Sequence, residues 1–405
     1  MKPLEVLIFI ILLLMGVPDL CRLLRRPALV YPVYFVVGML LGGLFSPSTE
    51  GLILQVGQFG FILLLFLIGL EIDLPKRNES LVALRRAGLW IALQFPLLVL
   101  IGWLLKGTIA QSALTASALC GCSVGMAFFA WKEFPHRDEE TGRGILLWMV
   151  GLEILSIFLI TGADIAVEQG FSWWGLLHLL GTAIAFVLVA LTADHITRGL
   201  SRLLDFTTRW RVHFIVLLIF TVAAVGERLG LSAPKTAFCL GLFVSRATHQ
   251  GLQLEDHLRP IGEKLLIPVF FVSLGALLPP LAFFSWTGLW ALLSAVFLLG
   301  LREVLYRRAW KRGLPGGGRS FLLVCPNLTL AGVAAETLRE TGTSGELLKW
   351  LLMTSLLMTV AAIMLLPAGE KPAAPPPEEE EEPSIFAIRS FWHRRHLPPP
   401  PTPLP

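Results

Sequence analysis

Long apolar runs separated by short basic loops set the pattern of this chain. LEVLIFIILLLMGV (4–17), ILLLFLIGL (62–70) and the segment around LLMTSLLMTVAAIMLL (351–366) are examples. The runs do not alternate, so they do not read as strands of a β-barrel. A bilayer core needs about 20 apolar residues per helix, and several runs reach that length. The pattern predicts about thirteen transmembrane helices, near 4–21, 28–46, 51–72, 86–105, 108–131, 144–167, 173–200, 211–227, 231–245, 261–279, 286–310, 319–338 and 346–366. The first run lacks the basic start and small-residue cleavage site of a signal peptide. It reads as a retained helix.

Composition agrees. Hydrophobic residues make up 55% of the chain, charged residues 15%, and the mean hydropathy is +0.72. Soluble domains carry about 25% charged residues, so this chain could not cover a globular surface. An all-α polytopic membrane protein is expected.

Charge tests the helix count. With the N-terminus outside, alternate loops face the cytoplasm. These hold basic clusters: Arg22, Arg25 and Arg26; Lys76, Arg77, Arg85 and Arg86; Lys132, Arg137 and Arg143; Arg198, Arg202, Arg209 and Arg211; Arg246, Arg259 and Lys264; and Arg307, Arg308, Lys311, Arg312 and Arg319. The opposite loops hold Lys106, Arg228, Arg339 and Lys349. Cationic loops stay in the cytoplasm, and a missed or invented helix would scramble the bias. The C-terminus is then cytoplasmic, and a cell (inner or plasma) membrane is expected.

Residues 1–367 form the predicted membrane domain, and 368–405 differ in kind. PAAPPPEEEEEP and LPPPPTPLP are low-complexity and expected to be disordered. SIFAIRSFWHRRH between them reads as unstructured tail or as a short basic segment on the membrane surface.

Ionisable residues at membrane depth are functional candidates by default. Glu153 sits in the middle of GILLWMVGLEILSIFLI. It reads as a structural ion pair or as a carboxylate that binds a proton or cation. Arg302, in SAVFLLGLREVLYRR, either snorkels toward Arg307 and Arg308 or pairs with Glu153. Two helices have interrupted centres: Cys120-Gly-Cys-Ser-Val-Gly125 in one, Pro326-Asn-Leu-Thr329 in the other. Proline removes a backbone donor and glycine weakens a helix. Broken helices in corresponding positions of two halves point to a transporter's binding site. Small-residue packing is the bland alternative, and it is the reading for the GxxxG of Gly38 and Gly42. The five cysteines read as apolar packing residues.

Several segments carry a resemblance. YPVYFVVGMLLGGLF with GQFGFILLLFLIGLEIDL, TAFCLGLFVS, IPVFFVSLGALL, GLREVLYRRAWKRG and CPNLTLAGVAAETLRETG together resemble the monovalent cation/proton antiporter-2 family of the sodium/proton exchanger superfamily, over roughly residues 4–366. The resemblance implies an inverted repeat with two crossing broken helices, a homodimer and no cofactor. It places Cys122 and Ser123 at the first break, Glu153 at the essential acid, Arg302 at the membrane lysine, and Asn327 and Thr329 at the second break. One carboxylate stands where related exchangers often have two. Arginine does not give up its proton in proteins, so Glu153 is left as the carrier, and Arg302 is expected to compete with the cation for it.

The expected function is alternating-access exchange of a monovalent cation, Na+ or K+, for protons, with Glu153 binding cation and proton in turn and Ser123, Cys122, Asn327, Thr329 and backbone carbonyls as the other expected ion-site groups. Two alternatives remain: a same-fold transporter of another solute, and a non-transporting partner-binding or sensory protein. No Ser/His/Asp set, metal cluster or phosphate loop suggests an enzyme, and nothing suggests a nucleic-acid partner.

Overall fold

The computed structural model describes residues 3–24, 26–45, 47–71, 77–132, 140–170, 173, 175, 177, 180–181, 211–228, 233–244, 248–249, 252–253, 258, 262–310, 319–342 and 345–366. The helices are α1 (Pro3–Leu23), α2 (Val30–Gly42), α3 (Pro47–Glu71), α4 (Arg77–Leu104), α5 (Ile109–Cys120), α6 (Val124–Lys132), α7 (Glu140–Gln169), α8 (Arg211–Arg228), α9 (Ala233–Val244), α10 (Ile267–Ala276), α11 (Trp286–Leu305), α12 (Leu328–Glu340) and α13 (Gly345–Leu365). Twelve of the expected segments fall on these helices, α5 and α6 being two halves of one segment. The segment 173–200 lies mostly outside the described residues, as does the tail 368–405. Among the described residues, the one addition to an all-helical expectation is a two-residue antiparallel pair, Thr248–His249 with Leu252–Gln253.

The helices sort into two groups by what they touch. In the first, α2 packs on α10, and α3 packs on both α9 and α10. These contacts are backbone-close. A Cβ on Gly38 would lie 2.1 Å from the Val272 carbonyl oxygen, and one on Gly275 would lie 2.0 Å from that of Phe35. Small residues that let helices approach closely are the usual solution where lipid removes the hydrophobic drive to associate. The GxxxG of α2 is therefore a packing seam against α10.

The second group holds α4, α5, α6, α7, α11, α12 and α13. Its members supply all six spans among the described residues that are long and apolar enough to cross a membrane: Val82–Leu104, Ile109–Ala127, Gly144–Val167, Trp286–Arg308, Ser320–Glu340 and Gly345–Leu365. They form two consecutive triplets. The middle member of each triplet is the interrupted one, and it is the most enclosed: 83% of Ile109–Ala127 and 94% of Ser320–Glu340 is buried, against 33% for Val82–Leu104 and Trp286–Arg308. The flanking helices turn Leu93, Trp103, Val296 and Phe297 outward, as helices facing hydrocarbon should.

Local chemistry fixes the ends of these spans. Thr108 and Gln111 form a reciprocal capping box that starts α5. Ser285 accepts from Gly288 N to start α11. Trp350 Nε1 donates to Ser294 Oγ across α11 and α13. Arg26 donates to the carbonyls of Ile363 and Leu366, and Arg319 to that of Leu365. Two cations thus hold the free carbonyls at the C-terminus of α13, where the helix dipole favours positive charge.

Candidate ion-binding site

Both interrupted spans break where the sequence offers least support for a helix. The chain leaves α5 at Gly121, which is extended (φ −78°, ψ −179°), and restarts at Val124. The partner span runs as a 3-10 turn over Ser320–Val324, opens through Cys325 and Pro326, and restarts at Leu328. Unwound backbone at this depth must find internal partners, and here each break satisfies the other. Ser123 N donates to Pro326 O at 2.7 Å, Cys122 Sγ to Leu323 O at 3.5 Å, and Ser123 Oγ to Thr329 Oγ1 at 2.9 Å. Asn327 Nδ2 donates to Leu119 O at 3.0 Å. The two breaks therefore cross, and Cys122, Ser123, Asn327 and Thr329 form the crossing itself.

A third helix braces Asn327. Ser355 Oγ donates to Asn327 Oδ1 at 2.8 Å, and the Asn327 backbone N–H donates to Thr359 Oγ1 at 3.2 Å, both from α13.

Crossing two broken helices creates four stumps with partial charge. The ends of α5 and of the 3-10 turn present carbonyls, and the starts of α6 and α12 present N–H groups. Glu153, on α7 and fully buried, sits at a positive stump: Val124 N donates to its Oε2 at 3.3 Å. Its Oε1 is buried and has no hydrogen-bond partner.

Arg302, on α11 and also fully buried, sits at the two negative stumps. Its Nη2 donates to Leu119 O at 2.6 Å and its Nη1 to Val324 O at 3.3 Å, while its Nε donates to Gln94 Oε1 at 2.8 Å. Gln94 is held in turn by Nε2 donating to Trp90 O at 3.0 Å. This corrects both expectations for Arg302. The side chain does not snorkel, and it makes no ion pair with Glu153. A guanidinium offers several donors in a fixed fork, and the carbonyl ends of two broken helices are acceptors that no helical N–H can reach. Arg302 therefore does not compete for the carboxylate. Glu303, next along the chain, pairs instead with Arg307 at the end of α11.

Sequence reasoning passed over four residues. Gln94 was visible as the one amide in GLWIALQFPLLVL, and Ser355 and Thr359 as hydroxyls four apart on one face of α13. Ser156, one turn beyond Glu153, gave no signal beyond a hydroxyl in an apolar run.

The family model for the sodium/hydrogen exchanger transmembrane region matches residues 8–366. The chain belongs to the sodium/hydrogen exchanger family. It is 27% identical to the probable Na(+)/H(+) antiporter 3 of Methanocaldococcus jannaschii, over 83% of this chain and 89% of that protein. It is 24% identical to the Na(+)/H(+)-K(+) antiporter GerN of Bacillus cereus, over 80% and 84%. The solved sodium proton antiporter MjNhaP1 of Methanocaldococcus jannaschii shares the fold, with a TM-score of 0.65 at 14% identity, over 90% of this exchanger and 99% of that chain.

Proposed function

We propose that this exchanger is a secondary-active antiporter that moves a monovalent cation, Na+ or K+, against protons by alternating access. The observation that carries the reading is Glu153: a fully buried carboxylate at a helix break, with one oxygen on Val124 N and the other unpartnered. An ionised carboxylate in an apolar interior is costly unless paired. A proton neutralises it, and so does one monovalent cation. A divalent cation would leave a net buried positive charge, which is the physical basis for preferring monovalent ions. Proton and cation then compete for one site, which is the minimum an antiporter needs. Arg302 is engaged with the carbonyl stumps, so Glu153 is the carboxylate that changes state in this reading, one proton on it exchanging for one cation.

Ser123, Thr329, Asn327 and Cys122 act in this reading by fixing the crossing, so that α6 presents its N-terminus to Glu153. Arg302 is the countercharge of the carbonyl stumps. The exchanger sits in the cell membrane with its N-terminus outside and C-terminus cytoplasmic. Support comes from Arg26 and Arg319, which lie on loops assigned to the cytoplasm and bond the end of α13. Residues 1–367 form the exchange domain and 368–405 a cytoplasmic extension. The exchanger works as a homodimer, with lipid around it.

The test is reconstitution of the purified protein in liposomes loaded with a pH dye. Added sodium or potassium chloride should move protons out against the cation, and protein-free liposomes should not respond. Proton flux that ignores both cations would overturn the reading in favour of another solute or a non-transporting role.

A further inference from the structure

Glu153 and Ser156 are three residues apart on α7, so their side chains share one face of the helix. Both are fully buried. Glu153 Oε1 and Ser156 Oγ each lack a hydrogen-bond partner. Buried oxygens without partners are rare and need a reason, and a hydroxyl in a helix ordinarily satisfies itself on a carbonyl of the preceding turn. Thr161, on the same helix, does so by donating to Ile157 O at 2.8 Å; Ser156 does not.

The Ser156 hydroxyl points at the first break. A Cβ built on Gly121 would lie 2.4 Å from Ser156 Oγ and 2.8 Å from Ser156 Cβ. The absence of a side chain at residue 121 is what leaves room for this hydroxyl beside the unwound segment. The same break delivers Val124 N to Glu153. One face of α7 thus meets one unwound segment with a carboxylate, through Oε2 on Val124 N, and with a hydroxyl beside Gly121, and it leaves Glu153 Oε1 and Ser156 Oγ without partners.

We propose that Ser156 Oγ is a direct ligand of the transported cation, beside Glu153 Oε1. This deepens the proposed antiport and rests on it. A small alkali cation is hard and takes oxygen ligands in place of its hydration water. A proton on Glu153 needs no such shell. Ser156 therefore acts on the cation half of the cycle: it sets cation affinity without adding charge to the site.

The experiment is cation-dependent proton flux in proteoliposomes for wild type, Ser156→Ala, Ser156→Cys and Glu153→Gln, with sodium and potassium each titrated. Ser156→Ala should raise the half-saturating concentration of the transported cation about tenfold, with the maximal rate within about twofold. Ser156→Cys fills the same space with a soft sulfur that binds alkali cations poorly, so it should behave like alanine. If cysteine restores wild-type affinity while alanine does not, the hydroxyl is a packing group and the proposal falls. Wild-type affinity in both serine variants, with Glu153→Gln inactive, refutes Ser156 as a ligand and leaves the carboxylate reading standing. Normal exchange in Glu153→Gln overturns the antiport site itself. If alanine fails to insert, the near-isosteric cysteine variant decides alone.

Discussion

Glu153 and Arg302 lie at opposite electrostatic ends of the same helix crossing and share no ion pair. The carboxylate takes the N–H at the start of α6, and the guanidinium takes the carbonyls of Leu119 and Val324 that end α5 and the 3-10 turn. Each charge is matched to the partial charge of a broken helix. Two buried charges are thus tolerated without cancelling one another, and the carboxylate stays open to exchange.

Arg302 should be a stability residue first. Removing the guanidinium leaves Val324 O and Gln94 Oε1 buried without this donor, at about 1–3 kcal/mol each. Arg302→Met should reduce the amount of folded protein recovered in detergent and lower its melting temperature by many degrees. Arg302→Lys keeps the charge but not the fork, and it should fall between the two in a thermal-shift assay.

Gln94 should matter because it holds Arg302 Nε. Gln94→Leu leaves that donor buried and unpaired, at about 1–3 kcal/mol. Gln94→Glu supplies an acceptor at the same place and should retain more stability than leucine. Equal melting temperatures for the two variants would contradict the role assigned to this amide.

Gly121 should tolerate no side chain. A Cβ there would meet Leu330 Cδ1 at 2.4 Å as well as Ser156 Oγ. Overpacking of this kind costs about 1–3 kcal/mol. Exchange by Gly121→Ala should drop at least about tenfold at unchanged expression, measured as initial proton flux in vesicles.

The two helix groups meet at a contact that motion would have to break. Gln58 Nε2, on α3, donates to Glu336 Oε1 on α12 at 2.8 Å, and Arg339 holds the same carboxylate. A crevice lined by Gly57, Phe270, Ser273 and Leu277 lies beside this bridge. Alternating access requires the groups to move relative to one another. Cysteines introduced at 58 and 336 and joined by a cleavable bifunctional thiol reagent should stop exchange, and reduction should restore it. The described native cysteines Cys21, Cys120, Cys122 and Cys325 are buried, which favours reaction at the introduced pair.

The fold was legible in the sequence because hydropathy and loop charge obey the bilayer directly. A run such as 144–160 has few alternatives to crossing a membrane, and Gly121 and Pro326 mark breaks by their own chemistry. Glu153 was legible for the same reason: a carboxylate in the middle of such a run is too costly to be incidental. The partners of Arg302 were not. Its acceptors are main-chain carbonyls of Leu119 and Val324, and a sequence shows side chains, not which backbone groups a break sets free. Pairing by opposite charge is the natural guess from sequence, and here geometry overrules it. Ser156 was illegible because one hydroxyl in an apolar helix usually bonds its own backbone; only its position against Gly121 sets it apart.

The most direct test of the account is proton-coupled cation flux through Glu153→Gln in proteoliposomes, beside wild type and with the membrane potential clamped at several values. The account predicts wild-type exchange that is insensitive to the potential, because one proton crosses for one monovalent cation, and no exchange from the variant at matched reconstitution. Exchange by Glu153→Gln at the wild-type rate would contradict it.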